Sequence, residues 1–293
     1  MLHLAVACAL LACSSPASFQ AKDGSVSRDD VTLHYTTVGS GAPLIMLSGG
    51  PGQDVSQLSE LVSGISAART CVLLEQRGTG RSTLTKLDES TVRADLYVED
   101  LEALRKDLGQ AKLHILGHSW GAMLGAAYAS RYPDKVGLLV LVDPGPLCYD
   151  HLGPATDNIK QRYGLLGVGG AESESQTLKE LRPFFYDQAK AEAFARRPKQ
   201  GRSAPVGGLI MRDLESKKFD FRTGLSRLRC PVLMLQGRQD LMPESFLIDV
   251  QRRIPGARLQ FIERAGHFPW IEQPGAFFQE LTAFLSGQRN PRR

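Results

Sequence analysis

The sequence predicts an α/β fold: a mainly parallel, twisted sheet flanked by helices, with a helical cap inserted late in the chain. Three observations predict it. Short, continuous apolar runs recur at Leu44-Ile45-Met46-Leu47, Cys71-Val72-Leu73-Leu74, Val136 to Val142 and Pro231 to Gln236, the pattern of strands covered on both faces. Segments of helical spacing alternate with them, which favours parallel pairing with crossover helices. The rhythm then breaks from about Pro146 to Ser226, where the chain is charged and helical in pattern, and resumes at Pro231.

In order, Val31 to Val38 alternates enough for an early antiparallel strand, and the Leu44 strand follows, ending in Ser48-Gly49-Gly50-Pro51-Gly52. The Cys71 strand leads into Glu75-Gln76-Arg77-Gly78-Thr79-Gly80-Arg81-Ser82. Its glycines lack a third partner and no apolar helix follows, so they read as a structural turn rather than a dinucleotide site. Val92, Leu96, Leu101, Leu104 and Leu108 have helical spacing, with Gly109 as the C-cap. Leu113 to Leu116 is a strand, Ala122 to Arg131 a helix closed by Tyr132-Pro133, and Val136 to Val142 a strand ending in Asp143-Pro144-Gly145. Leu259 to Glu263 is the last strand, and Phe277, Phe278, Leu281, Phe284 and Leu285 form the stripe of a closing helix. The expected division is a core over 28–146 and 227–287, a cap over 147–226 and a basic tail over 288–293.

The amino terminus differs in kind. Residues 1–12 are almost wholly apolar, too short for a membrane span of about 20 residues but long enough for an export-signal core. Residues 13–27 read as a polar linker. Leu10-Leu11-Ala12-Cys13 resembles a bacterial lipobox, in which Cys13 carries lipid; Met1-Leu2-His3 lacks the usual Lys or Arg. The remaining cysteines, Cys71, Cys148 and Cys230, have no metal-site spacing and read as buried thiols, although an oxidising compartment permits a disulfide.

The chemistry centres on Gly117-His118-Ser119-Trp120-Gly121. A G-x-S-x-G pentapeptide between a strand and a helix forms a nucleophile elbow, a strained turn that lifts a serine hydroxyl clear of the sheet. The hydroxyl needs a base within hydrogen-bond reach. His267, in the loop after the Leu259 strand, is the candidate, and Asp240, just past the Pro231 strand, is the acid that orients it. Asp143 also follows a strand and is the alternate acid, whereas His3, His34, His114, His118 and His151 have no comparable placement. One oxyanion donor is the backbone N–H of Trp120; the second comes from Gly49 or Gly50, with Gly50 favoured, because Pro51 has no N–H.

These residues together resemble the α/β-hydrolase superfamily, whose members share the Ser, Asp, His chain order, and within it the prolyl iminopeptidase family of serine peptidases. The likeness runs from about Leu44 to Phe284, outside the cap. Ser48-Gly49-Gly50-Pro51-Gly52 is similar to that family's His-Gly-Gly-Pro-Gly, with serine in place of histidine. Glu75 to Ser82 is similar to its Asp-Gln-Arg-Gly-x-Gly-x-Ser, and Gly117 to Gly121 to its Gly-Gly-Ser-Trp-Gly. The resemblance implies a cofactor-free triad of Ser119, Asp240 and His267, with Gly50 and Trp120 as oxyanion donors. The cap departs: the family's Trp-x-x-Trp-Glu element is absent, since Trp120 and Trp270 are the two tryptophans. Glu172, Glu174, Glu180, Glu192 and Glu215 match none of the acidic residues that hold a substrate amine there.

The expected activity is therefore a serine hydrolase, an exported aminopeptidase of the prolyl iminopeptidase type, with a carboxylesterase or lactonase as the alternative and a non-catalytic binding protein as a third reading. Its partner is a small molecule or short peptide. Charged residues make up 23% of the chain, near the globular average, so the chain does not read as disordered. With no nucleic-acid motif, the net charge of +4 reads as a solvated tail rather than a nucleic-acid surface. Membrane contact is expected through Cys13 alone.

Overall fold

The apolar runs become the centre of one sheet because each alternates its side chains between two cores. In the computed structural model, which describes residues 21–166, 175–197 and 201–287, the elements run β1 (Lys22–Arg28), β2 (Val31–Gly39), β3 (Pro43–Leu47), α1 (Ser59–Ile65), β4 (Thr70–Glu75), β5 (Thr83–Leu84), α2 (Ala94–Asp107), β6 (Leu113–His118) and α3 (Trp120–Arg131). They continue as β7 (Val136–Val142), α4 (Leu152–Leu165), α5 (Gln176–Leu181), α6 (Gln188–Ala195), α7 (Ala204–Lys217), β8 (Val232–Gly237), α8 (Glu244–Arg253), β9 (Arg258–Ile262), α9 (Pro269–Glu272) and α10 (Pro274–Leu285). The expected export signal, Cys13, the basic tail, Glu172 and Glu174 lie outside the described residues.

The sheet order is β1-β2-β4-β3-β6-β7-β8-β9, with β5 pairing to β2. From β4 to β9 every pairing is parallel, and β2 runs antiparallel to both β1 and β4. On β3, Ile45 and Leu47 enter the core that includes Leu101 and Leu104 of α2 and Leu124 and Tyr128 of α3. Leu44 and Met46 enter the opposite core with Leu61 and Ile65 of α1 and Phe277 and Leu281 of α10. Two-sided burial explains why these strands read as unbroken apolar runs.

β1 corrects the expectation for the amino terminus. Residues 22–27, read as linker, belong to this strand. Its sequence is polar, and Val26 is the residue that it buries; the backbone ladder to β2 makes it a strand, and apolar alternation carries no trace of an edge of that kind. Cys71, Cys148 and Cys230 are free thiols, and burial pushes the Cys71 thiol up to about 12.

One buried ion pair ties the turn after β4 to α2. Arg77 is fully buried and forks onto Asp100, Nε to Oδ2 at 2.8 Å and Nη2 to Oδ1 at 2.7 Å. Its Nη1 reaches Asp30 and the Thr91 carbonyl, and Tyr97 Oη donates to the Arg77 carbonyl at 2.8 Å. Arg28 Nη1 also reaches Asp100 Oδ1 at 2.6 Å, so losing Arg77 leaves the buried Asp100 only partly paired. Arg77→Ala is expected to cost about 3–5 kcal/mol in urea unfolding, and adding Asp100→Ala to cost far less than it does alone. Simple additivity of the two losses would show that the pair is not coupled.

Candidate active site

The chain begins the parallel part of the sheet at β3, moves outward to β4 and then crosses back to β6 on the other side of β3. Loops leaving the carboxyl ends of strands at such a reversal diverge and open a crevice. β3 delivers Gly49 and Gly50 there, and β6 delivers Ser119.

Ser119 stands at φ 54° and ψ −117°, a conformation that costs a non-glycine residue about 1–3 kcal/mol. Its surroundings hold it there. Its N–H donates to the Val142 carbonyl at 3.0 Å. A Cβ on Gly117 would lie 2.2 Å from the Gly121 carbonyl oxygen, and one on Gly121 2.2 Å from that of Leu47. Trp120 begins α3, so its N–H has no acceptor a turn earlier in the helix. The Trp120 indole donates to Gln76 Oε1 at 2.8 Å, and Gln76 Nε2 donates to the Ser48 carbonyl at 2.9 Å. Gln76 thereby couples the elbow to the turn after β3. Gly50, at φ +121°, occupies a region that L side chains avoid, and a Cβ on Gly49 would lie 3.2 Å from Ser119 Cβ.

Asp240 follows β8 and His267 follows β9. His267 Nδ1 donates to Asp240 Oδ1 at 2.9 Å, and the Leu241 N–H reaches the same oxygen at 2.6 Å. The His267 N–H donates to the Phe184 carbonyl at 2.7 Å. Glu272 accepts from the Gly266 N–H at 2.6 Å with one oxygen and from the Asp187 N–H at 2.7 Å with the other. The histidine loop is thus fastened to the segment joining α5 and α6. Burial raises Glu272 above the usual carboxylate range.

Ser119, His267, Gly49 and Gly50 line one cavity of about 1060 Å³. Phe184, Phe194, Phe268 and Met211 give it apolar walls. Among the described lining residues the charged ones are Glu180, Arg197 and Arg202, and Arg202 Nη1 lies 3.5 Å from Glu180 Oε2. Of the residues singled out from sequence, Asp240 sits behind the His267 ring and Trp120 at the foot of the elbow. Asp143, the alternate acid, accepts the Gly237 N–H at 2.8 Å, while the oxygen facing His267 Nδ1 belongs to Asp240.

Sequence reasoning passed over His118. Its buried ring donates Nε2–H to the His267 carbonyl at 2.9 Å, has Gln57 Oε1 at 3.1 Å from Nδ1 and packs edge-on against Trp270. Burial holds it well below the usual imidazole range. Its position immediately before Ser119 was the available signal. Gln57 and Glu272 carry no local motif, and each has one partner remote in sequence, His118 and Asp187.

The α/β hydrolase fold family matches residues 42–274. A proline iminopeptidase from Heyndrickxia coagulans is 27% identical over 266 residues, covering 85% of this chain and 92% of that protein. A 2-hydroxy-6-oxo-6-phenylhexa-2,4-dienoate hydrolase from Comamonas testosteroni is 25% identical over 280 residues, covering 90% and 95%. Among solved structures, a proline iminopeptidase-related protein from Thermus thermophilus shares the fold at TM-score 0.75 and 23% identity, covering 91% of this chain and 98% of that one. A thermophilic esterase from Thermogutta terrifontis does so at 0.69 and 21%, covering 91% and 98%. With most of its length matched, from the end of β2 to the start of α10, the chain belongs to the α/β hydrolase fold family and is similar to the proline iminopeptidases.

Proposed function

We propose that this hydrolase is a serine enzyme acting by acyl transfer on small carboxylic esters, lactones or amides. The observation that carries the proposal is the 2.9 Å contact between His267 Nδ1 and Asp240 Oδ1, with His267 and Ser119 lining the same cavity. An ionised Asp240 fixes the proton on Nδ1 and leaves Nε2 as the base. Ser119 Oγ gives its proton to Nε2 and attacks the carbonyl carbon, and the N–H groups of Gly50 and Trp120 receive the developing oxyanion. The imidazolium then protonates the leaving group, and water hydrolyses the acyl-enzyme by the same route. Ser119→Ala is expected to lower kcat by about 10⁴ or more with unaltered circular dichroism. Turnover retained in that variant would remove the serine mechanism.

Two substrate classes compete. The relatives named proline iminopeptidase support an aminopeptidase, which must hold a free ammonium group. One observation favours the esterase or lactonase reading instead. Among the described lining residues Glu180 is the carboxylate, and Arg202 already neighbours it, while Arg197 is paired with Glu60. A cationic substrate end would have to compete with Arg202 for Glu180. Short-chain aryl esters are therefore expected to turn over at least about tenfold faster in kcat/KM than proline arylamide. Faster turnover of the arylamide, abolished by N-acetylation, would establish the aminopeptidase.

Export with lipid on Cys13 is a separate proposal resting on the sequence of residues 1–13. Labelled palmitate should enter the bacterially expressed chain and not its Cys13→Ala variant. Equal labelling of both, or labelling of neither, would exclude the anchor.

A further inference from the structure

We propose that Asp143 keeps its proton and donates it to Asp240 Oδ2, making Asp143 a positioning residue for the Asp240–His267 pair. This rests on the serine-hydrolase reading for its consequence, though not for its protonation. Asp143 follows β7 and is wholly buried, at φ 41°, and the Asp240 side chain is buried as well. Carboxylate oxygens of both residues and a ring nitrogen of His267 lie within 4.8 Å of one another.

One shared proton satisfies both groups. Asp143 Oδ1 accepts the Gly237 N–H, and Asp240 Oδ1 accepts from His267 and from the Leu241 N–H. The second oxygen of each carboxyl is buried without a partner when both are written as anions. Two buried acceptors side by side need one donor, and a single proton between them supplies it. The proton belongs to Asp143. Asp240 has the imidazole and a backbone N–H on one oxygen to support its charge, whereas Asp143 has one backbone N–H. Burial first, and then the neighbouring Asp240 charge and hydrogen bond, hold Asp143 well above the usual carboxylate range. Glu272 acts in the same direction from the α9 side.

The consequence is positional and electrostatic. With Oδ2 fixed by Asp143 and Oδ1 by His267, the Asp240 carboxylate cannot swing away from the imidazole. One negative charge rather than two then faces His267.

Asparagine at this position reproduces the arrangement: its carbonyl accepts the Gly237 N–H and its amide donates to Asp240. Asp143→Ala is expected to lower kcat about tenfold or more with little change in KM, and Asp143→Asn to restore it, with the acid limb of the pH profile where the wild type has it. A limb displaced by a unit or more in Asp143→Asn would show that Asp143 was anionic and overturn the proposal.

Stability tests the proton without reference to activity. The wild-type native state retains a proton that the unfolded chain releases above about pH 3.9, so native stability falls as pH rises. Between pH 5 and 7 the unfolding constant of the wild type should rise, relative to Asp143→Asn, about tenfold per pH unit. Parallel curves for the two proteins would overturn the proposal even if Ser119 proved to be the nucleophile. The predicted slope would uphold it even if Ser119 did not.

Discussion

A backbone contact between α3 and β3 governs the geometry of the site. Gly121 approaches the Leu47 carbonyl so closely that a methyl group there would lie 2.2 Å from its oxygen, and Gly117 is as tightly placed against Gly121 itself. Contacts at this range bring the start of α3 down onto the ends of β3 and β6. Ser119 then has nowhere to go except up and out, at a positive φ that its own side chain disfavours. The same approach places the Gly49-Gly50 turn beside the serine, where Gln76 fastens it to the Trp120 indole. Side chains at 117 or 121 would separate hydroxyl and turn together, so both features depend on one steric fact.

Much of this was readable because it is local. The strands β3, β4, β6, β7 and β8 bury both faces, and that burial writes itself as continuous apolar runs. The elbow is a pentapeptide, and Asp240 and His267 each follow a strand end. What escaped notice depends on contacts that no sequence pattern marks. β1 is polar and owes its strand state to the ladder with β2. His118 matters through the backbone of His267, and Glu272 through the amides of Gly266 and Asp187. Those contacts span 149, 6 and 85 positions, and even the shortest has no sequence pattern of its own. Asp143 was visible as a carboxylate at a strand end, but its relation to Asp240 exists only once β7 and β8 are neighbours.

The glutamine-arginine turn after β4 illustrates a related point. Read as a motif, Glu75 to Ser82 marks a family likeness without stating a task. In the fold it faces two ways: Gln76 supports the elbow, and Arg77, on the opposite side, is held by Asp100 and Asp30. Gly80 stands at φ +52°, a conformation that L side chains rarely adopt, which explains the glycine without any phosphate ligand. The turn is a bracket between α2 and the crevice, and its charges serve placement rather than chemistry.

The environment of His267 follows one electrostatic logic. His118 and Asp143, both buried beside it, are each pushed by burial toward the uncharged form, the imidazole downward and the carboxyl upward. Neutralising both leaves Asp240 as the charge in direct contact with the His267 imidazole. The two neutral groups have opposite effects on stability. An imidazole kept neutral in the fold opposes folding as pH falls, because the unfolded chain takes up the proton; a carboxyl kept neutral opposes it as pH rises, because the unfolded chain gives the proton up. A site that isolates one carboxylate against one imidazole thereby sets limits on the stability of the whole chain from both sides of the pH scale.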